Sequence, residues 1–173
     1  MILIFRRTGH RRYAVAAQRN PFPDLEMDPA PGFDPLMPHD MMHAVVEAKL
    51  GLTRAVFGQL AAGGDAGTFR TMVKQEKSRE VARLRRRVKA KGKTLMREGQ
   101  DESAQSERAA AICWNVWQAR GQSKTKSAAP PDISERKLDE ICRHLDELSS
   151  HWSSLKIGEA MAISWPDLSV TRL

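Results

Sequence analysis

The alternation of apolar and polar residues predicts a β-hairpin at the start of the chain and another strand near its end. Residues 1–8 are strongly β-prone, Gly9 and His10 suit a turn, and apolar side chains alternate along residues 11–18. Apolar and small residues alternate again over residues 160–165, just before a proline. Because an isolated hairpin is only marginally stable, we expect this late strand to pair with it.

Between these strands, apolar residues recur with the spacing of helices. Gly51 stops the first of them, and a long basic helix begins at Thr68, with Gly92 as a candidate break. Asp132 and Glu135 predict a capping box at the start of the last helix. The predicted helices cover residues 38–50, 53–62, 68–98, 101–120 and 132–158.

Two segments are predicted to lack regular structure. Six prolines block a regular element over residues 20–38, which we interpret as a Pro-rich connector. Residues 121–131 are polar, end in two prolines and predict a flexible loop. The pattern predicts a single α+β domain over residues 1–173. Its small antiparallel sheet, made of the N-terminal hairpin and the C-terminal strand, packs against a mostly α-helical middle with one long basic helix.

The composition narrows the function classes. The 173 residues suffice for one core, and no apolar run approaches the ~18–20 residues of a membrane span, so we expect a soluble protein without a membrane partner. The apolar run over residues 1–5 is too short for a secretion signal, and arginines follow it rather than precede it. Cys113 and Cys142 are the only cysteines, which excludes a disulfide framework and favours a reducing, cytoplasmic setting.

The net charge of +7 is distributed unevenly along the chain. Residues 67–98 hold twelve basic and three acidic residues, whereas residues 21–66 hold two basic and seven acidic ones. The basic helix over residues 70–97 therefore predicts a surface that binds nucleic acid without sequence specificity, or another polyanion. Its candidate binding residues, with no Asn, Gln or aromatic residue among them, are Arg79, Arg83, Arg85, Arg86, Arg87, Lys89, Lys91 and Lys93. The alternative is a solvated helix whose bases face the acidic blocks of the same chain or a partner subunit.

The most reactive set of residues lies in the predicted first helix. His39, His43 and Glu47 are four residues apart and span only about 80° of the helix circumference, so they form one row. Two imidazoles at this spacing chelate divalent metals in helical zinc sites. We therefore predict His39, His43 and Glu47 as ligands of Zn²⁺ or another divalent first-row metal, with Glu47 and Asp40 as candidate catalytic groups. Such a site suits a metal-dependent hydrolase, in which the metal activates water.

One helix rarely supplies three ligands, because residues eight apart are about 12 Å apart along its axis. We expect a further ligand from another element, with His144 and His151 as candidates and His10 as a weaker one. Trp114 is a candidate for the edge of a cleft. Two other interpretations of the histidines stay open, namely half-buried rings satisfied by hydrogen bonds and a metal-free catalytic His/Asp pair. A structural or adaptor protein with neither activity is the third function class.

Two resemblances rest on these residues. The order His-Asp-x-x-His over residues 39–43 resembles the zinc motif of a coenzyme Q biosynthesis protein, but Ala55 stands where that motif has a further Glu. The pattern Pro-His-Asp-x-x-His-x-x-x-Glu over residues 38–47, with the glycine-rich residues 57–69, is similar to segments of uncharacterised bacterial proteins of this size. The second likeness spans residues 1–70 and the final strand, and it implies a soluble bacterial protein without an established activity.

Overall fold

A computed structural model describes residues 1–72, 79–120 and 133–173. These residues form a six-stranded antiparallel sheet and five helices, which confirms the predicted α+β class. The strands are β1 (Ile2–Gly9), β2 (Arg12–Gln18), β3 (Leu25–Ala30), β4 (Arg70–Thr71), β5 (Ala160–Ser164) and β6 (Val170–Arg172). The helices are α1 (His39–Leu50), α2 (Val56–Ala61), α3 (Arg79–Glu98), α4 (Gln100–Arg120) and α5 (Glu135–Ser154).

The sheet is built around β1, with the strand order β4-β3-β2-β1-β5-β6. β1 and β2 form the predicted hairpin, and β5 pairs with the other edge of β1, as expected for the late strand. Leu3 faces Ile163 and Phe5 faces Met161 across this pair, and all four side chains are buried. Because alternate side chains point to the same face of a strand, these residues give the sheet one apolar face that lies in the core.

The prediction of an irregular connector over residues 20–38 is wrong for its middle part, where β3 pairs with β2. Pro29 lies where the register shifts, just beyond the pair of Val15 with Met27. A residue in a bulge does not need to donate an N–H to the ladder, so the strand tolerates this proline. β4 and β6 add edge strands of two and three residues, which are too short to leave a periodic pattern in the sequence.

The helices follow the predicted set, with different ends. The long basic helix does not begin at Thr68, because β4 occupies the next residues, and its described part begins at Arg79. Gly92 does not break α3 but lets it approach Asp65 closely. A Cβ at this position would lie 2.0 Å from the Asp65 Oδ1 atom.

Two predictions fall outside the described residues, namely the loop over residues 121–131 and the cap at Asp132. The observed N-cap of α5 is Ser134, whose hydroxyl accepts a hydrogen bond from the backbone N–H of Lys137 at 3.3 Å. A serine in this position satisfies one of the free N–H groups of the first helical turn.

α1 is the central helix of the core. Every residue from Met41 to Glu47 is buried, because α1 packs against α2, α4 and α5. The indole Nε1–H of Trp165 donates to the Ala44 carbonyl at 3.1 Å and thereby ties α1 to the end of β5. A polar side chain on this enclosed helix must find its partners inside the protein, and this applies to both His43 and Glu47.

The thiols of Cys113 and Cys142 are free and buried, where they pack as small apolar side chains. Burial raises the pKa of Cys113 to about 12, with a smaller contribution from Cys142, so this thiol stays protonated near neutral pH. None of the helices within the described ranges is both long and apolar enough to cross a membrane.

Candidate metal centre

His39 and His43 lie one turn apart at the N-terminal end of α1, as predicted. Their rings meet edge to face, with centroids 4.5 Å apart and the two Nε2 atoms 3.1 Å apart. His43 is only 5% exposed, whereas His39 is exposed. The loop before α1 closes tightly over His39 because Gly32 has a φ of +71° and no side chain. A Cβ on Gly32 would lie 2.6 Å from the Cβ of His39.

The third member of this group is Glu107, which the sequence did not single out. Its Oε2 atom lies 3.6 Å from the Nε2 atom of His43. Glu107 comes from α4, the helix that packs along α1, and it is exposed. One ligand atom from each of His39, His43 and Glu107 lies within 4.8 Å of the other two, so these side chains form a group that could hold a metal ion. We call it the His/Glu group.

The spacing within the His/Glu group suits a small divalent ion. Metal–ligand bonds of about 2.0–2.2 Å in a tetrahedral site place neighbouring ligand atoms about 3.3 Å apart. The observed distances from the His43 Nε2 atom are 3.1 Å to the His39 Nε2 atom and 3.6 Å to the Glu107 Oε2 atom. Two imidazoles and one carboxylate also match the ligand sets of catalytic zinc sites, which leave a further position for water or substrate.

Glu47 does not belong to the His/Glu group, contrary to its prediction as a ligand. Its carboxylate is completely buried, and its Oε2 atom accepts the backbone N–H of Phe57 at 2.8 Å. Its Oε1 atom accepts the hydroxyl of Ser106 at 3.0 Å. Burial raises the pKa of Glu47 to about 7, although the hydrogen bonds from Phe57 and Ser106 lower it. The carboxylate is therefore an internal anchor at the start of α2.

Ser106 connects this anchor to the His/Glu group. Its Oγ atom lies 2.8 Å from the Nδ1 atom of His43, so His43, Ser106 and Glu47 form a continuous hydrogen-bonded chain. Burial lowers the pKa of His43, and the charge of His39 lowers it further, while Glu107 raises it. These shifts favour the neutral imidazole, which is the form that binds metals.

Asp40 lies next to His39 in sequence but faces a different partner. The hydroxyl of Tyr13 on β2 contacts the Asp40 carboxylate and the carbonyl of Pro31. Burial raises the pKa of Asp40, whereas the hydrogen bond from Tyr13 and the charge of His39 lower it. Asp40 thus fastens the first turn of α1 to the sheet. The prediction of Asp40 as a catalytic group has no support in this geometry.

The third side chain of the His/Glu group comes from another element, as expected of a further ligand, but it is not a histidine. The Nδ1 atom of His144 is 2.9 Å from the carbonyl of Glu140 on its own helix, and neither His151 nor His10 joins the His/Glu group. Sequence reasoning missed Ser106, although it lies on the buried stripe of α4. A polar residue three positions before Ala109 on that stripe is the signal that could have found it.

A cavity of about 370 Å³ adjoins the His/Glu group. His39 and Glu107 form part of its wall, and Trp114 lines it, which confirms the prediction that this residue marks the edge of a cleft. Its other described lining residues are mostly apolar, and only Asp34 and Asn115 are polar. The remaining ones are Gly32, Phe33, Met37, Met42, Ala110 and Ala111. A cavity of this size and character accommodates a small molecule or a single side chain.

The eight predicted polyanion-binding residues lie on α3, and all of them are exposed; we call this surface the basic face. Within the described residues, none of the eight forms an ion pair with an acidic side chain. Arg85 donates to the Thr71 hydroxyl at 3.3 Å, and the Lys91 Nζ atom lies 4.7 Å from the centroid of the Phe22 ring. The alternative in which these bases pair with the acidic blocks of the same chain has no support in the described residues.

The His/Glu group and the basic face lie on separate parts of the fold, since one joins α1 to α4 and the other lies along α3. The likeness of residues 38–47 to segments of uncharacterised bacterial proteins stays a prediction. Comparisons of this chain with protein-family models, curated proteins and solved structures found no match.

Proposed function

We propose that His39, His43 and Glu107 bind Zn²⁺ or another divalent first-row metal, and that the protein is a metal-dependent hydrolase. The observation that carries this proposal is the convergence of three ligand atoms from two helices within 4.8 Å, beside a cavity of about 370 Å³. Two histidines and one carboxylate do not discriminate strongly among first-row metals, so zinc serves as the first probe.

The bound metal would supply the chemistry of a hydrolase, because zinc lowers the pKa of its bound water to about 7. Three protein ligands leave a coordination position for that water, and the cavity offers room for a small substrate next to it. The apolar side chains around Trp114 would receive the uncharged part of such a substrate. A cytoplasmic location belongs to the same proposal and is supported by the two free thiols.

Zinc binding by untagged protein tests the metal centre. After removal of metals with a chelator, we expect wild-type protein to bind one equivalent of zinc, measured by calorimetry and elemental analysis. His43→Ala should lower the affinity by about a hundredfold or more, because it removes a buried ligand that a flexible side chain cannot replace. His144→Ala is the matched control, since His144 lies outside the group and should leave affinity unchanged. Equal zinc affinity in wild-type and His43→Ala protein would contradict the proposal.

The hydrolase part of the proposal needs its own measurement. Small nitrophenyl esters and phosphates are suitable probes, because each releases a coloured product and fits a cavity of this size. We expect turnover of at least one of them that disappears with the chelator, returns with zinc and is absent in His43→Ala. Turnover that survives zinc removal would argue for a metal-free mechanism instead.

A second candidate function is binding of a nucleic acid or another polyanion by the basic face of α3. The absence of intramolecular ion pairs among its described residues supports this proposal, because uncompensated charge attracts an anionic partner. Phosphate contacts dominate such binding, and without Asn, Gln or aromatic side chains on the basic face we expect little sequence preference. A structural or adaptor role is the function that remains if neither metal nor polyanion binds.

Binding of duplex DNA and of single-stranded RNA at several salt concentrations tests this second candidate. The affinity should fall steeply as salt rises from about 50 to 200 mM, because the partner's counterions are released on binding. Arg86→Glu with Arg87→Glu should weaken binding by roughly tenfold or more. Arg136→Glu with Arg143→Glu on α5 removes the same charge from another exposed surface and should have a smaller effect. Equal losses in both double variants would indicate attraction by net charge alone.

A further inference from the structure

We infer that Ser106 and Glu47 are positioning residues that fix His43 in the tautomer with its proton on Nδ1, which leaves the Nε2 lone pair free for the metal. This inference rests on the proposed metal centre. It assigns a purpose to two buried polar side chains that the His/Glu group itself does not use. Each of them contributes one link to the chain that ends at His43.

The donor and acceptor roles along this hydrogen-bonded chain follow from the contacts of Glu47. Its Oε2 atom faces the backbone N–H of Phe57, which can only donate. An ionised carboxylate can only accept hydrogen bonds, so the Oε1 atom accepts a hydrogen bond of 3.0 Å from the Ser106 hydroxyl. Both ends of this carboxylate are therefore occupied by donors that the fold holds in place.

Ser106 has a single hydroxyl proton, and this proton is used in the hydrogen bond to Glu47. The contact of 2.8 Å between the Ser106 Oγ atom and the His43 Nδ1 atom must then be donated by His43. With its proton on Nδ1, neutral His43 presents an unprotonated Nε2 atom. That atom faces the His39 Nε2 atom at 3.1 Å and the Glu107 Oε2 atom at 3.6 Å.

The opposite tautomer is disfavoured by the same contacts. If Ser106 donated to His43, its Oγ atom would face the Glu47 Oε1 atom with no proton between two buried acceptors. Metal-binding histidines usually donate their second ring N–H to a carboxylate or carbonyl, and removal of that partner weakens metal binding. Here a serine hydroxyl extends the connection to a carboxylate anchored at the start of α2.

Glu47→Gln should reverse the donor and acceptor roles of the hydrogen bonds from residue 47 through Ser106 to His43, without a change in side-chain size. The carbonyl oxygen of the amide must face the Phe57 N–H, because the amide NH₂ would meet another donor there. The NH₂ group then faces Ser106, which accepts from it and donates its own proton to the Nδ1 atom of His43. His43 thereby acquires its proton on Nε2, where it blocks the metal.

Nitrogen-15 correlation spectra of the histidine rings read the tautomer directly in the full-length, metal-free protein. At about pH 8.5, above the Glu47 pKa of about 7, the carboxylate is ionised, and we expect His43 to show the Nδ1–H form in the wild type and the Nε2–H form in Glu47→Gln. A His43→Gln variant identifies the His43 signals. A purely structural role for Glu47 would not move this signature.

Zinc affinity gives the second readout. We expect Glu47→Gln to lower it by roughly ten- to a hundredfold, with a smaller loss in Ser106→Ala, which removes the connection without reversing it. Glu102→Gln on the same helix as Ser106 is the control, because Glu102 accepts from the Arg54 N–H and does not contact the chain. Circular dichroism verifies that each variant is folded.

Two results separate this inference from the proposed metal centre. Wild-type protein with the Nδ1–H tautomer but no zinc binding would overturn the metal centre, while the positioning chain would stand. Zinc-binding wild-type protein whose His43 tautomer and zinc affinity are unchanged by Glu47→Gln would overturn the positioning role alone. A wild-type His43 in the Nε2–H form would also overturn it.

Discussion

Trp152→Ala will destabilise the protein by about 4 kcal/mol. Trp152 is completely buried on α5, and its ring packs edge to face against Tyr13 with centroids 5.9 Å apart. Its Nε1–H donates to the carbonyl of Asp34 at 3.1 Å. Truncation to Ala leaves a large cavity and an unsatisfied carbonyl in the loop before α1, and both effects cost stability.

Urea unfolding of metal-free protein measures this loss, and Trp152→Phe is the matched variant. Phe keeps most of the ring contacts but removes the hydrogen bond to Asp34, so we expect a loss of about 1–2 kcal/mol. A Trp152→Ala loss below about 1 kcal/mol would show that the loop before α1 does not depend on this residue. Because Phe33 and Asp34 line the cavity, the Ala variant should also alter access to the His/Glu group.

The sequence predicts those parts of the fold that leave a local pattern. The hairpin and α5 carry strong alternation or helical spacing, Gly51 marks the end of α1, and the structure agrees with all three. The local sequence does not predict β3, because Pro29 and the prolines that flank the strand outweigh its buried residues Leu25, Met27 and Ala30. Its formation depends instead on pairing with β2 and on the bulge that holds Pro29, and neither can be read from the segment alone.

In the candidate site, too, the sequence predicts the part that depends on local spacing and not the part that depends on tertiary packing. His39 and His43 are four residues apart on one helix, so their proximity is a local property that the sequence predicts. Glu107 is distant in the sequence and reaches His43 only because α4 packs along α1. No periodic pattern specifies which of the acidic residues on α4 will lie at that crossing.

The sequence predicts Glu47 as a metal ligand because it shares a helix face with the two histidines. The first turn of α2 has backbone N–H groups that need an acceptor, because its N-cap residue, Ala55, has no side chain that can accept a hydrogen bond. The carboxylate of Glu47 accepts the Phe57 N–H instead and satisfies part of the first turn of α2. A buried carboxylate near free N–H groups binds to them in preference to a distant ligand position.

As the pH rises from about 4.5 to 8, metal-free wild-type protein will lose about 3 kcal/mol of stability relative to Glu47→Gln. Burial is the main cause, since it raises the pKa of Glu47 from its ordinary value of 4.5 to about 7 in the folded protein. Between these two values the unfolded chain has released the proton and the folded chain has kept it. Folding is therefore progressively disfavoured as the pH rises through this interval.

Urea unfolding of both proteins across this pH range, with a chelator present, measures the difference. His43 has a lowered pKa, so its own contribution rises with pH and acts in the opposite direction in both proteins. His39 and Glu107 face His43 in both proteins as well. The comparison therefore isolates Glu47 more cleanly than the wild-type curve does, and parallel curves for the two proteins would contradict the buried carboxylate.

Glu140→Gln provides a control, because the pKa of this carboxylate is shifted in the opposite direction. The hydrogen bonds from Lys137 and Lys49 lower the pKa of Glu140 to about 2, so its contribution is present above the ordinary value of 4.5 and is lost only as the pH falls towards 2. Within the measured range the difference between wild type and Glu140→Gln should stay flat. A slope shared by both variants would reflect a general effect of removing one negative charge. A slope confined to Glu47→Gln locates the proton at the buried end of the chain that leads through Ser106 to His43.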